Sequence, residues 1–214
     1  MHIPDGILPP SVCLTGYGAT GLLTWASLKQ LQRQYTDTSE LVPRTAFLTA
    51  AFFAVSLIHI PVPPTSVHLM LPGLMGVLLG YAAMPAILIG VFLQAVMFGH
   101  GGLTTVGVNT LILGIPALVA YHIFASYRWL GRHWPFSGGR SLWAFLAGAS
   151  GVVVAVCLFS GLLLGFLPTQ LDRETEQLAI FILVMAHLPL VIIEGVMTAA
   201  IVNFLGRVKP ELLY

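Results

Sequence analysis

The sequence predicts an all-α integral membrane protein with seven transmembrane helices, the N-terminus outside and the C-terminus inside, built as a single domain over residues 1–214. Three observations carry that expectation. Only 8% of the residues are charged and 57% are hydrophobic, with mean hydropathy +0.91, whereas soluble domains carry about 25% charged residues. Residues 45–127 contain no Asp, Glu, Lys or Arg at all. The third observation is the placement of the basic residues. If residues 69–98 cross the membrane once, the Lys and Arg residues divide four against five across it. If that segment crosses twice, Lys29, Arg33, Arg44, Arg128, Arg132, Arg140, Arg207 and Lys209 share one side, leaving only Arg173 on the other. Cytoplasmic loops collect Lys and Arg, so the double crossing is preferred.

The expected spans follow in order. Pro9-Pro10-Ser11 is a helix-start signal, and the first span runs over 11–28. A polar connection containing Asp37 and Glu40 leads to the second span, 45–60. Pro61-Val62-Pro63-Pro64-Thr65-Ser66 reads as a turn-rich break, with His68 at the head of the helix after it. Spans three and four, 68–82 and 85–98, are hinged near residues 80–85. Gly99-His100-Gly101-Gly102-Leu103-Thr104-Thr105 is a second break, followed by a span over 107–127. A basic Gly/Pro-containing loop precedes the span 141–167. The acidic loop 169–177 precedes the last span, 180–205. That loop concentrates cations near the outer mouth in one reading and is a solvated turn in the plainer one.

Several function classes are excluded by what is missing. No H-E-x-x-H, G-x-S-x-G or P-loop pattern is present, so neither a protease nor an ATPase is expected, and the chain is not expected to be an enzyme. No basic tract or aromatic–basic stripe suggests nucleic acid. Cys13 and Cys157 sit alone in apolar runs, with no metal-binding spacing between them. Asp5 stands where a signal peptide would carry basic residues, so an uncleaved N-terminus is expected.

The chemistry concentrates on histidine. A free Met1 amine and the His2 backbone nitrogen close a five-membered ring on a metal ion, and the His2 backbone nitrogen and Nδ1 close a six-membered one. A fourth in-plane donor completes a tetragonal site of the kind Ni(II) and Cu(II) favour. The plain alternative is a polar residue in a frayed terminus. The topology puts His2, His59, His68, His100 and His187 toward the outer face, and His122 and His133 toward the cytoplasmic end. Thr65 and Ser66 are placed to cap a helix or fix the His68 tautomer. The alternative for His68 is an interfacial histidine satisfied by loop carbonyls.

Glu194 is the only acidic residue inside an expected span, and an intramembrane carboxylate marks a functional site or a needed partner by default. His187 lies two helical turns earlier on the same face. With Asn109 on a neighbouring helix, both are expected to anchor an inserted N-terminal segment; a protonated Glu in a buried polar network is the alternative. Ala46, Ala50 and Ala54 recur at four-residue spacing, which allows close packing of another helix or is simple filler.

These motifs together resemble the CbiM/NikM family, the nickel/cobalt-binding substrate components of energy-coupling-factor transporters. The resemblance rests on Met1-His2-Ile3-Pro4-Asp5-Gly6-Ile7-Leu8, on Pro61-Val62-Pro63-Pro64-Thr65-Ser66-Val67-His68-Leu69, on Gly101-Gly102-Leu103-Thr104-Thr105-Val106-Gly107-Val108-Asn109 and on His187-Leu188-Pro189-Leu190-Val191-Ile192-Ile193-Glu194-Gly195. It implies an N-terminal segment inserted among seven helices as the metal-binding element. The implied ligands are the Met1 amine, the His2 backbone nitrogen and imidazole, and the His68 imidazole. The implied cargo is Ni(II) or Co(II), with no organic cofactor. The implied partners are a transmembrane coupling component, two ATP-binding-cassette ATPase subunits and in some systems a small accessory membrane subunit, all in a bacterial cytoplasmic membrane. Ala46, Ala50 and Ala54 match the small-residue motif that contacts the coupling component. Two departures stand out. His100 occupies a position where many relatives have an acidic residue, which makes it an auxiliary ligand candidate, and Pro63-Pro64 stands where a glycine is frequent. The rival expectation is a stand-alone secondary cation transporter with Glu194 and His187 as a proton relay.

Overall fold

The computed structural model describes residues 2–35, 37, 39–62, 65–130, 139–166 and 173–213; the side chains of residues 59–62, 65, 66, 128–130, 173, 174 and 176 lie outside that description. Among the described residues there are seven α-helices, α1 (Pro10–Gln34), α2 (Leu41–Ser56), α3 (Pro72–Leu79), α4 (Ala83–Phe98), α5 (Val106–Leu130), α6 (Gly139–Phe166) and α7 (Arg173–Val208), and one antiparallel strand pair, β1 (His59–Val62) and β2 (Thr65–His68). Four stretches are long and apolar enough to cross a membrane, 72–98, 106–127, 139–166 and 177–208, and α2 is a shorter apolar helix.

The helix α5 is the centre of the bundle, packed against α1, α3, α4 and α6, while α7 lies along α6 and α2 against α4. Glycines allow the closest approaches. A Cβ at Gly76 would run into the Ala117 carbonyl of α5, and one at Gly73 would lie within 3 Å of the Gly148 backbone of α6. Gly76→Ala should therefore destabilise the fold by about 1–3 kcal/mol, the usual cost of overpacking, as read by thermal unfolding in detergent; unchanged stability would mean that α3 and α5 are free to separate.

The chain doubles back between α3 and α4. A 3-10 turn, Gly80–Ala82, joins them, and Gly80 has φ 56, a left-handed value that glycine adopts without penalty. The consequence is visible at both ends. His68 before α3 and His100 after α4 have ring centroids 5.6 Å apart, whereas a straight helix over 72–98 would hold its ends about 40 Å apart. At the opposite end, Arg44 donates to the Leu78 and Leu212 carbonyls, tying the start of α2 to the end of α3 and to the C-terminal tail. Tyr81 meets Tyr121 there, centroids 5.0 Å apart. The molecule thus has a histidine end and an arginine end.

Element boundaries depart from the sequence expectation in instructive places. The first helix runs on to Gln34, because Lys29-Gln30-Leu31-Gln32-Arg33-Gln34 are good helix formers although polar. The second starts at Leu41 and stops at Ser56, and the residues expected to finish it form β1. Residues 61, 62, 65 and 66 lie on strands, and His68 is not at a helix head; it ends β2, directly across from His59 in the register. Thr65 and Val67 suit an extended backbone, and short apolar runs do not distinguish strand from helix by pattern alone. The third helix is correspondingly short, eight residues from Pro72. The last helix begins at Arg173, so most of the expected acidic loop is its first turn, where carboxylates favour the helix dipole. Helices α4, α5 and α6 agree with the expected 85–98, 107–127 and 141–167 to within three residues at either end.

Candidate metal centre

The N-terminal segment lies inside the histidine end, and its placement follows from a short series of hydrogen bonds. Ile3 is fully buried. Its N–H donates to Asn109 Oδ1 at 2.8 Å, and its carbonyl accepts from Asn109 Nδ2 at 3.0 Å and from the Thr105 hydroxyl at 2.7 Å. One amide side chain thereby satisfies both backbone groups of a buried residue, as sheet pairing would. Asp5 forms the second clasp. It accepts from the Thr104 hydroxyl, from the Thr104 N–H at 2.9 Å and from the Leu103 N–H at 3.1 Å, just ahead of the N-terminus of α5. The Thr104 hydroxyl bond leads the interactions that hold the Asp5 carboxyl below its ordinary value. The clasp is therefore complete above the usual carboxylate range and is lost as acid protonates it. Gly101 and Gly102 make this approach possible, since a Cβ at 101 would sit 3.2 Å from His2 Cβ and one at 102 would strike Asp5.

Three imidazoles converge beside this segment. His2 comes from the N-terminal segment, His68 from the end of β2, and His100 from the turn after α4. Ligand-capable atoms of all three lie within 4.8 Å of one another, the one such group among the described residues. The His2 and His68 rings are stacked at 20° with centroids 5.8 Å apart. His100 stands edge-on to both, 4.5 Å from His2 and 5.6 Å from His68. Imidazole is a common ligand of divalent transition ions.

Each ring has a local support. His68 Nδ1 lies 3.1 Å from the Leu69 carbonyl. A carbonyl only accepts, so Nδ1 carries the proton and Nε2 the lone pair, as in histidines that ligate metals through the other nitrogen. After His68 the backbone turns sharply. Leu71 has φ 57, a left-handed conformation that is strained for a leucine. The carboxylate of Glu194 holds that turn, accepting from the Met70 N–H at 2.6 Å and from the Leu71 N–H at 3.1 Å. Pro72 then starts α3 where no N–H is needed. His100 follows Gly99, which has φ 61; Gly99 N–H bonds to the Ala95 carbonyl and His100 N–H to the Gln94 carbonyl. This glycine-terminated helix end sets the His100 backbone.

Glu194 thus acts on the segment beyond His68; its expected role toward the N-terminal segment involves Met1, which lies outside the described residues. Replacing Glu194 with Leu leaves two buried donors unmatched, at about 1–3 kcal/mol each. We expect lower thermal stability and weaker metal binding, with Glu194→Gln recovering part of both; a Leu variant as stable as the parent would contradict this role. His187 is also separate from the histidine group: its Nδ1 faces the Leu183 carbonyl of its own helix at 2.7 Å. Asn109 does grip the N-terminal segment. Thr65 and Ser66 lie on β2 with side chains outside the described set, and Met1 and His133 are outside it altogether. Ala46, Ala50 and Ala54 are exposed on α2, and the first two line an apolar groove of about 720 Å³ with Leu28, Leu31, Ile89 and Leu93. Sequence reasoning overlooked Asp5, Thr104 and Thr105. The Pro4-Asp5-Gly6 turn and the paired Gly101-Gly102 were the available signals.

Comparison with known proteins places this chain among proteins named as metal transporters. A family model described as the cobalt uptake substrate-specific transmembrane region, CbiM, matches residues 2–212. A Haemophilus influenzae protein provisionally named a metal transport protein is 33% identical over all of this chain and 97% of its own length. The fused nickel transport protein NikMN of Rhodobacter capsulatus is 31% identical over all of this chain, which spans 64% of that longer protein. A crystal structure of a transition metal transporter superposes with TM-score 0.79 at 26% identity, covering 97% of this chain and 93% of the other.

Proposed function

The chain belongs to the CbiM family, and from that premise we propose that it is the metal-capturing membrane component of an ATP-driven, energy-coupling-factor-type importer of Co(II) or Ni(II). It is a multi-pass metal transport component of the CbiM/NikM type and not an enzyme. The observation that carries the metal-site reading is the convergence of His2, His68 and His100 within 4.8 Å. In this reading His2 and His68 are ligands, His2 through both its backbone nitrogen and its ring, and the Met1 amine completes the chelate.

The single domain 1–214 crosses a bacterial cytoplasmic membrane seven times, with residues 68–82 and 85–98 as separate crossings and the histidine end outside. Two features support this. Lys29, Arg33, Arg44, Arg140, Arg207 and Lys209 all fall toward helix ends or tails away from His2, His68 and His100, as the positive-inside rule requires. The exposed Ala46, Ala50 and Ala54 face offers a coupling component a close-packing surface. Two ATPase subunits, and in some systems a small accessory subunit, complete the transporter. The proton-relay alternative is weakened by the commitment of both Glu194 oxygens to backbone N–H groups.

Reconstitution tests the reading. Liposomes containing this chain with its coupling component and ATPases should accumulate Co(II) or Ni(II) only when ATP is supplied. Accumulation by this chain alone, driven by a pH gradient, would establish the relay instead.

A further inference from the structure

Cations gather at the end of the bundle opposite the histidine group. Lys29, Arg33, Arg44, Arg140, Arg207 and Lys209 outnumber Asp37, Glu40 and Glu211 there. Most of them are exposed, but Arg44 is half-buried. It lines a pocket of about 350 Å³ with Gln34, Tyr35, Gly80, Tyr121 and Leu212, where the ends of α1 and α3 and the C-terminal tail meet α2 and α5. A guanidinium carries five N–H donors. Arg44 uses both of those on Nη2, for the Leu78 and Leu212 carbonyls. Among the described residues the donor on Nε and the two on Nη1 have no acceptor, and no carboxylate pairs with the charge. A charge partly withdrawn from water is costly unless an acceptor or counter-ion completes it. The neighbouring side chains offer hydrogen too. The Tyr121 oxygen accepts from Gln34 Nε2 at 3.4 Å, which leaves its own hydroxyl proton for a further acceptor, and Tyr35 brings a second hydroxyl to the pocket. Carbonyls at the C-terminus of α3 would repel an anion, and Arg44 faces them itself, through Leu78.

We propose that this pocket binds a phosphate group, that of a phospholipid headgroup or a free phosphate ion, with Arg44 as the anchor and the Tyr121 hydroxyl as a second donor. Arginine suits phosphate because its planar fork presents several charge-assisted hydrogen bonds at once. Basic pockets between transmembrane helices at the cytoplasmic surface take lipid headgroups for the same reason. The position fits a lipid: Tyr35, Tyr81 and Tyr121 cluster at this end of the apolar helices, and tyrosines are enriched at the membrane–water interface. The size fits as well. Ligand pockets run from about 300 to 1,000 Å³, so this one holds a headgroup while the acyl chains stay in the bilayer. A phosphate bound here joins the end of α1 to the start of α2, which are not among the packed helix pairs. The pocket is independent of the metal and of the cargo.

The test uses the full-length chain, delipidated in detergent and titrated at fixed ionic strength with three probes: dioleoyl phosphatidylglycerol, inorganic phosphate, and dioleoylglycerol, which has the same chains without the phosphate. Bound ligand is counted by native mass spectrometry, and stability is followed by thermal unfolding. The wild-type chain should hold one phosphate-bearing ligand and no dioleoylglycerol. Arg44→Gln should weaken that binding by about tenfold or more, and Tyr121→Phe by roughly threefold. Tyr121→Phe keeps the ring that packs on Tyr81, so it decides the matter should Arg44→Gln not fold. Lys29→Gln is the control, since Lys29 is exposed at the same end with its Nζ 4.9 Å from the Trp25 ring centroid, and it should leave binding unchanged. Phosphatidylglycerol held against excess inorganic phosphate identifies the headgroup as the occupant; displacement by inorganic phosphate identifies the free ion. Equal binding of dioleoylglycerol, equal losses in Arg44→Gln and Lys29→Gln, binding unchanged in both pocket variants, or a wild-type chain that binds neither phosphate probe overturns the pocket. Metal binding by Tyr121→Phe should match that of the wild type, so the pocket and the uptake reading stand or fall separately.

Discussion

His68→Ala should weaken metal binding by about a hundredfold or more, equivalent to about 2.7 kcal/mol, as measured by competition against a chromogenic chelator. The expectation is large because His68 is buried at 3% exposure, its tautomer is fixed by the Leu69 carbonyl, and the turn beyond it is held by Glu194. A ligand on so rigid a support is already oriented for the ion, and little ordering entropy opposes binding. His122→Ala is the control. That residue is exposed at the arginine end, edge-on to Tyr81 and tilted against Tyr121, and its loss should leave affinity within about twofold, since exposed sites remote from a centre rarely couple to it. Equal effects of the two substitutions would mean that the ion binds elsewhere.

Adding one residue ahead of Met1 should be nearly as damaging. The extension converts the amine into a peptide nitrogen, which is a poor neutral donor. Ile3 is completely buried and bonded on both sides to Asn109, so the segment that carries the amine is fixed from its third residue on. We expect the extended protein to fold normally and to lose about a hundredfold or more in affinity, comparable to loss of a ligand. Full retention of Co(II) or Ni(II) by the extended protein would remove the Met1 amine from the site.

The helical character and the membrane class were legible in the sequence because they depend on composition and long apolar runs, which tertiary contacts do not overturn. The turn at Gly80 was legible for a different reason, since the basic residues distribute sensibly only if the chain reverses there. The strand pair at 59–68 was not. Its described residues make a short apolar run, which does not distinguish strand from helix by pattern alone; beyond His68 the chain turns at Leu71, where Glu194 holds the Met70 and Leu71 N–H groups. In the candidate site, His2 and His68 were readable from chelate chemistry and motif. The contribution of Asp5 was not, because its partners at 103 and 104 are about a hundred residues away and only the fold brings them near. His100 was visible as a departure from relatives, but its distance to the other two rings is set by the Gly99 helix end and by the α3–α4 reversal acting together.

The most direct test of the account is elemental analysis of the protein purified with an unmodified N-terminus after exposure to Co(II) and Ni(II). The account predicts one tightly held ion per chain, removed by His68→Ala and retained by His122→Ala. A protein that emerges without metal, or one whose metal survives the loss of His68, would contradict it.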